Sequence, residues 1–396
     1  MDFKGETMKK IILLYDFLKE IGGLERVMFF QANLLKKHHK PELYFSYVSN
    51  KDKDRIIREL ELKNNVLVRS LGRINNEFLQ LAKSFLLPSR IKKLRADLII
   101  ANSFMTSRMA CYMKKKYGTP YVVVLYHPPN FIYSKVSGWA NNIYRLAGSI
   151  WGIAAGGLLK NIDRRAVVNA DLVVSISEYT KRRAYGIYGT DSIIIYPHVS
   201  DFFRIMGDKE KKEFLRKMNI KNKFLFAHGR IIPDKNYDLL FDIVSGVANM
   251  DLIISGSVSD NYRAKLMHLA KIKKVEKRVK ILGRISSKDL LGYYNCAEIF
   301  LMPAKKEDFG LTPIEAMACG CPVVAWNDNA GPNETVIPKV NGLLARPYNV
   351  HDFAEKIKMG LKMRWDKKKI IKSVGKFSEK EVGDKFIEII DELFHK

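Results

Sequence analysis

Short apolar runs rich in β-formers alternate along this chain with longer stretches in which apolar residues recur every three or four positions. Lys10 to Tyr15 predicts a first buried strand, and Gly22-Gly23 opens a helix from about Leu24 to Lys37. Further strands are predicted at Leu43 to Val48, Asp97 to Ala101, Tyr121 to Tyr126, Leu172 to Ile176 and Ser192 to Tyr196, with helical material between most of them. That alternation is the mark of a parallel sheet wrapped by crossover helices.

The pattern then restarts. Lys223 to His228, Met250 to Ser255, Val279 to Leu282, Ile299 to Met302 and Pro322 to Ala325 read as strands. Helices fit Asn236 to Ala248, Asp260 to Ile272, Ser287 to Asn295 and Pro313 to Cys319. A boundary is expected at about Val199 to Asp208, giving domains 1–200 and 201–377. The helix at 378–396 has no strand after it and could return to the first domain. The fold class is therefore α/β: two doubly wound, Rossmann-like domains with an interdomain cleft. In such sheets ligands bind beyond the carboxyl ends of the strands.

Composition narrows this picture. The chain has 396 residues and 47% hydrophobic content, enough for two cores and too much for a disordered protein. Lys and Arg number 68 against 42 Asp and Glu, a net +26 that favours an anionic partner. Residues 1–200 carry 32 basic and 16 acidic side chains, so the first half is the more basic. Cys111, Cys296, Cys319 and Cys321 form neither a disulfide framework nor a zinc spacing, and no secretory signal is apparent; a cytoplasmic location is expected. No run reaches the ~18 apolar residues of a spanning helix. The nearest, Leu146 to Leu159, is flanked by Arg145 and by Lys160, Arg164 and Arg165. It reads either as a buried helix or as a monotopic contact in which Trp151 and Ile153 dip into lipid.

Candidate chemistry gathers at the strand ends. In Pro303 to Ala325, Thr312-Pro313-Ile314-Glu315 reads as a helix start, with Thr as cap, Pro first and Glu third. Glu315 could thus close a capping box, or accept hydrogen bonds from sugar hydroxyls. Gly310-Leu311-Thr312 offers backbone N–H groups at a positive helix end, suited to phosphate. Glu307 lies in the loop before it. After the strand ending at His228 come Gly229, which allows close backbone approach, and Arg230 and Lys235, two cations able to hold a diphosphate. Gly22-Gly23 lacks the full dinucleotide-binding spacing, and His127 stands at a strand end beside Pro128-Pro129. Asp52-Lys53-Asp54 reads as solvated, and no metal is inferred.

Together these segments resemble the retaining glycosyltransferases of family 4, which have the GT-B fold. The likeness is densest from Phe224 to Pro347. It rests on Gly229-Arg230 with Lys235, Leu282-Gly283-Arg284, Glu307 and Glu315 around Phe309-Gly310, Gly320-Cys321-Pro322-Val323-Val324, Gly331 with Glu334, and Asn341 to Leu344. The resemblance implies that Arg230 and Lys235 grip the donor diphosphate and Glu315 the donor ribose. Glu307 would contact hydroxyls of the transferred sugar, and Gly229, Phe309, Gly310, Leu311 and Thr312 would line sugar and phosphate. Gly283 to Ile285 would lie near the base, His127 would face the transferred sugar, and Gly23 the phosphate and acceptor. It further implies hexose transfer from a nucleotide diphosphate sugar to a glycan or polyprenyl-linked acceptor without a metal cofactor. Tyr126-His127-Pro128-Pro129, Tyr144-Arg145 and Tyr196-Pro197 look similar to GDP-mannose-using mannosyltransferases, while UDP-sugars stay open. The charge and the apolar segment add an expected peripheral contact with an anionic membrane. An epimerase of the same fold and a basic nucleic-acid-binding protein are the rival readings; for the latter the chain lacks a recognisable motif.

Overall fold

The computed structural model describes residues 8–18, 23–48, 67–70, 95–133 and 150–395. Two compact units divide the chain: Met1–Tyr196 with Gly383–Lys396, and Pro197–Val382.

Unit 1 contains β1 (Lys10–Leu18), α1 (Gly23–Leu35), β2 (Lys40–Val48), β3 (Leu67–Ser70), β4 (Leu98–Ala101), α2 (Phe104–Tyr117), β5 (Tyr121–Leu125), α3 (Asn130–Tyr133), α4 (Ile150–Val168), β6 (Leu172–Ser175), α5 (Glu178–Tyr188) and β7 (Ile193–Ile194). The strands form a parallel sheet in the order β3-β2-β1-β4-β5-β6-β7. Every residue of β4 and β5 is buried. That explains their unbroken apolar sequences, since a central parallel strand is covered on both faces.

Unit 2 contains α6 (Asp208–Lys217), β8 (Phe224–His228), α7 (Leu239–Ser245), β9 (Asp251–Ser255), α8 (Asp260–Ile272), β10 (Val279–Ile281), α9 (Ser287–Cys296), β11 (Ile299–Met302), α10 (Leu311–Ala318), β12 (Val323–Trp326), α11 (Pro332–Thr335), β13 (Gly342–Ala345), α12 (Val350–Lys362) and α13 (Lys367–Ser373). Its parallel sheet has the order β10-β9-β8-β11-β12-β13. The last helix, α14 (Glu379–Phe394), leaves unit 2 for unit 1. There, Gly383 lies close against Leu34, and His39 Nε2 meets Asp391 Oδ1 at 3.0 Å.

Each sheet reverses its strand order once, between β1 and β4 in unit 1 and between β8 and β11 in unit 2. Such a switch point opens a crevice outside the strand ends.

Several expected elements are corrected. Strands β3 and β13 were not anticipated; each is four residues long. The helix expected from Asn236 to Ala248 is shortened to α7, because Asn236, at a left-handed φ of 54°, ends a 3-10 turn at Pro233–Lys235 and the helix starts only at Leu239. The strand expected over Ser192 to Tyr196 pairs only at Ile193–Ile194. Of the apolar segment, Ile150 onwards is helical. Tyr144, Arg145, the Asp52-Lys53-Asp54 run and Gly22 lie outside the described residues, as do the side chains of Trp151 and Ile153. Among the described residues no helix is long and apolar enough to cross a membrane.

Candidate functional site

The switch point of unit 2 is built by two loops, one after β8 and one after β11. The first is pressed against the end of β9. Gly229 N–H donates to Ser255 O at 3.1 Å, Ile231 N–H donates to Ser257 O at 2.8 Å, and His228 Nδ1 meets Ser255 Oγ at 2.7 Å. Gly256 has φ 141°, and a Cβ there would fall 1.6 Å from Gly229 O, so only glycine admits this approach. Arg230 is exposed beyond that contact. The turn at Pro233–Lys235 then carries Lys235 back to the second loop, where its Nζ donates to Glu307 Oε2 at 2.5 Å.

The second loop is held from behind. Gly331 N–H donates to Glu307 O at 2.8 Å, and a Cβ on Gly331 would lie 2.3 Å from Phe309 Cα. Lys306, at φ 50°, donates its N–H to Asp328 Oδ2 at 2.8 Å, and the Tyr348 hydroxyl donates to the same oxygen at 3.2 Å. Trp326 Nε1 donates to Pro303 O at 2.8 Å. Phe309 is buried with its ring 5.4 Å from that of Phe377. Glu307 is thus fixed by backbone on both sides, and its charge adds to burial in raising the Tyr237 hydroxyl above its ordinary range.

The helix start differs from the expected capping box. The cap is Gly310, at φ 91°, and α10 begins at Leu311, so Thr312 and Pro313 are its second and third residues. Pro is tolerated there because first-turn amides have no intrahelical acceptor. The Thr312 hydroxyl points to Met302 Sδ at 4.0 Å and caps nothing. Glu315, 7% exposed, accepts a hydrogen bond from the wholly buried Tyr294 hydroxyl at 2.9 Å. The capping-box role for Glu315 is therefore overturned, while the amides of Leu311 and Thr312 stand at a positive helix end beside Glu307.

Gly283, at φ 74°, accepts the Gly256 N–H at 2.8 Å, which brings the Gly283 to Ile285 loop beside the Gly229 loop. His127 is exposed after β5, with Nδ1 3.1 Å from Pro128 O, and Gly23 is the first residue of α1; both belong to unit 1. Sequence reasoning missed Tyr294, Asp328 and Tyr237, whose contacts all arise from distant parts of the chain. Among the described residues no group of three His, Cys, Asp or Glu side chains could hold a metal ion.

Residues 21–201 match the family model described as Glycosyltransferase Family 4, and residues 208–390 match that described as Glycosyl transferases group 1. The chain belongs to the family 4 glycosyltransferases. An uncharacterized glycosyltransferase of Haemophilus influenzae is 24% identical over 355 residues, 88% of this chain and 89% of that protein. One of Methanocaldococcus jannaschii is 30% identical over 193 residues, 48% of this chain and 50% of its own length. A GDP-mannose-dependent monoacylated alpha-(1-6)-phosphatidylinositol monomannoside mannosyltransferase of Corynebacterium glutamicum is 29% identical over 208 residues, 48% of this chain and 53% of its own. The chain thus spans about half the length of the last two relatives.

Among solved structures, sucrose-phosphate synthase from Thermosynechococcus elongatus superposes with a TM-score of 0.78 at 18% identity, covering 98% of this chain and 99% of that one. Anabaena HepE in complex with UDP and glucose gives 0.75 at 18% identity, covering 97% and 100%. The fold is GT-B, and this glycosyltransferase presents its clustered cation, acid and helix terminus at the switch point of its second unit.

Proposed function

We propose that this protein is a retaining glycosyltransferase that moves a hexose from a nucleotide diphosphate sugar to a glycan or lipid-linked acceptor. The reading is carried by one observation: Lys235 and Glu307 meet at the unit 2 switch point beside the start of α10. Breaking a sugar–phosphate bond develops negative charge on the departing diphosphate and positive charge at the anomeric carbon. Arg230, Lys235 and the amides of Leu311 and Thr312 stabilise the first without a metal. Glu307 holds Lys235 ready and accepts hydrogen bonds from hydroxyls of the sugar. Glu315 takes the ribose, Gly283 and Ile285 border the base, and Gly229, Phe309 and Gly310 supply backbone contacts. His127 and Gly23 are the proposed contacts from unit 1 to the transferred sugar and the acceptor side. For retention, the acceptor hydroxyl attacks from the face the diphosphate leaves, and a departing phosphate oxygen takes its proton.

GDP-mannose is the favoured donor, supported by the named specificity of the Corynebacterium relative; UDP-glucose is the alternative, since HepE binds UDP and glucose. A membrane-borne acceptor suits the surface of unit 1. There Leu158, 60% exposed, and Tyr185, 62% exposed, lie on α4 and α5 with Lys160, Arg164, Arg165 and Arg182. Peripheral docking on an anionic membrane would place the protein at a lipid face, and flotation with anionic liposomes tests this. Failure to bind at low salt would remove the membrane part of the reading.

A thermal-shift screen of GDP- and UDP-sugars tests the function itself, because a ligand of the native state raises its stability by mass action. One nucleotide sugar should stabilise the protein clearly. Glu307→Ala and Arg230→Ala should then abolish transfer while the fold stays intact. Full activity in Arg230→Ala would end the diphosphate assignment.

A further inference from the structure

The donor cluster fills the switch point of unit 2, and unit 1 has one of its own, between β1 and β4. It lies just past the strand predicted over Lys10 to Tyr15, and it holds an unusual group. Asp16 lies on β1 two positions beyond Leu14, which pairs with Ala101 at the end of β4. Its carboxylate reaches the start of α2, where it accepts hydrogen bonds from the Ser103 side chain and the backbone of Met105 and Thr106. Ser103, at the cap position of α2, gives that helix no side-chain cap of its own. So far Asp16 is a helix cap supplied by a neighbouring strand.

The other oxygen does not fit that role. Asp16 Oδ1 is shut off from solvent and has no hydrogen-bond partner among the described residues. Buried polar atoms are nearly always satisfied, and an exception marks a strained or functional position. The surroundings are rigid. Asn102 donates to Leu14 O and Ile100 O, both at 3.4 Å, and accepts from the buried Tyr126 hydroxyl at 3.2 Å. This ties the ends of β1, β4 and β5 together.

We infer that Asp16 binds the acceptor, its Oδ1 accepting a hydrogen bond from the hydroxyl to be glycosylated on a sugar or polyol. The inference rests on the glycosyltransferase reading and deepens it. Asp16 orients the hydroxyl and takes no proton, since the proton leaves with the departing phosphate oxygen. A purely structural cap would be served as well by asparagine, without the cost of a buried charge. Burial pushes the Asp16 carboxyl up to about 6, opposed by its bonds from Ser103, Met105 and Thr106. Ionisable groups on the neighbouring elements include Tyr15 of β1, Glu25 and Arg26 of α1, Arg108 of α2, and Tyr126 and His127 after β5. None of them outweighs burial at Asp16.

Asp16→Asn separates binding from architecture. Octyl α-D-mannoside and octyl β-D-glucoside serve as alcohol probes, with GDP-mannose and UDP-glucose as donors. Because the native carboxyl holds its proton more tightly than the unfolded one, its charge is a burden above about pH 6 and is relieved below. Relative to wild type, the variant should therefore gain thermal stability above neutral pH, and that gain should fade as pH falls through about 6. Transfer to the alcohol should nonetheless drop by roughly ten- to a hundredfold in kcat/KM, the loss of one hydrogen bond to a charged group. In wild type, kcat/KM for the alcohol should rise with pH through about 6, a profile that needs no variant; in Asp16→Asn it should be flat. UDP and GDP should stabilise both proteins alike.

Wild-type transfer rates in Asp16→Asn would overturn the inference, as would a wild-type profile with no step near pH 6. So would failure of wild type to bind or glycosylate either probe while it still binds UDP or GDP. If neither protein binds a nucleotide, the glycosyltransferase reading itself fails.

Discussion

Replacing Tyr294 by Phe removes one oxygen from the donor unit and leaves its shape unchanged. The ring keeps its neighbours, with Phe203 at 5.7 Å, Phe226 at 5.5 Å and Phe300 at 5.6 Å between centroids, so no cavity forms. What is lost is the 2.9 Å hydrogen bond to Glu315 Oε2, between two side chains of which one is wholly buried and the other nearly so. A hydrogen bond to a carboxylate contributes about 1.5–3 kcal/mol, and water cannot readily replace it here. In a unit of this size, 1 kcal/mol moves the Tm by roughly 2–4 °C, so a fall of about 3–12 °C is expected. Differential scanning calorimetry of both proteins without ligand measures it. The functional half concerns ribose. If Tyr294 sets the orientation of Glu315, the variant should lose most of the preference for UDP or GDP over the 2′- and 3′-deoxy nucleotides, read by calorimetric titration. A Tm within 1 °C of wild type together with an unchanged ribose preference would refute the reasoning.

Two further outcomes follow from particular contacts. Gly331→Ala places a methyl 2.3 Å from Phe309 Cα, so the loop carrying Glu307 must shift; donor affinity should fall at least tenfold in a protein that still folds, and unchanged affinity would show that the loop is not set by this approach. Asp163 is buried, with the Tyr188 hydroxyl donating to Oδ2 at 2.7 Å, and burial raises its carboxyl above the ordinary range. The folded state then holds this proton the more tightly, so wild type should gain stability relative to Asp163→Asn as pH falls through the raised pKa; a Tm difference that does not vary with pH would contradict this.

Much of this was legible in the sequence, for local reasons. The helix Asp260–Ile272 was read to the residue because Ser259 caps it, accepting the Tyr262 N–H, and its apolar positions keep helical spacing. Ile299–Met302 was equally plain as an apolar run buried throughout. Strand β13 was hidden because Gly342 begins it and its four residues carry too little alternation to register. The start of α10 was misplaced because Thr-Pro mimics a cap, whereas Gly310 can take the left-handed backbone that Thr312 cannot readily adopt.

The site was legible as a set of residue types and illegible as a geometry. Lys235 and Glu307 are 72 positions apart, and they meet because β8 and β11 are neighbours across the switch point. Tyr294 meets Glu315 from another helix 21 positions away, and no local signal announces it. Asp16 falls just past the strand predicted over Lys10 to Tyr15, and it is the extension of β1 to Leu18 that carries it into the sheet.

A crystal structure with UDP or GDP bound tests the central claim most directly. The diphosphate should lie against the Leu311 and Thr312 amides, within reach of Arg230 and Lys235, with the ribose on Glu315. A nucleotide seated anywhere else in the molecule, with Lys235 and Glu307 still paired and no phosphate near α10, would contradict it.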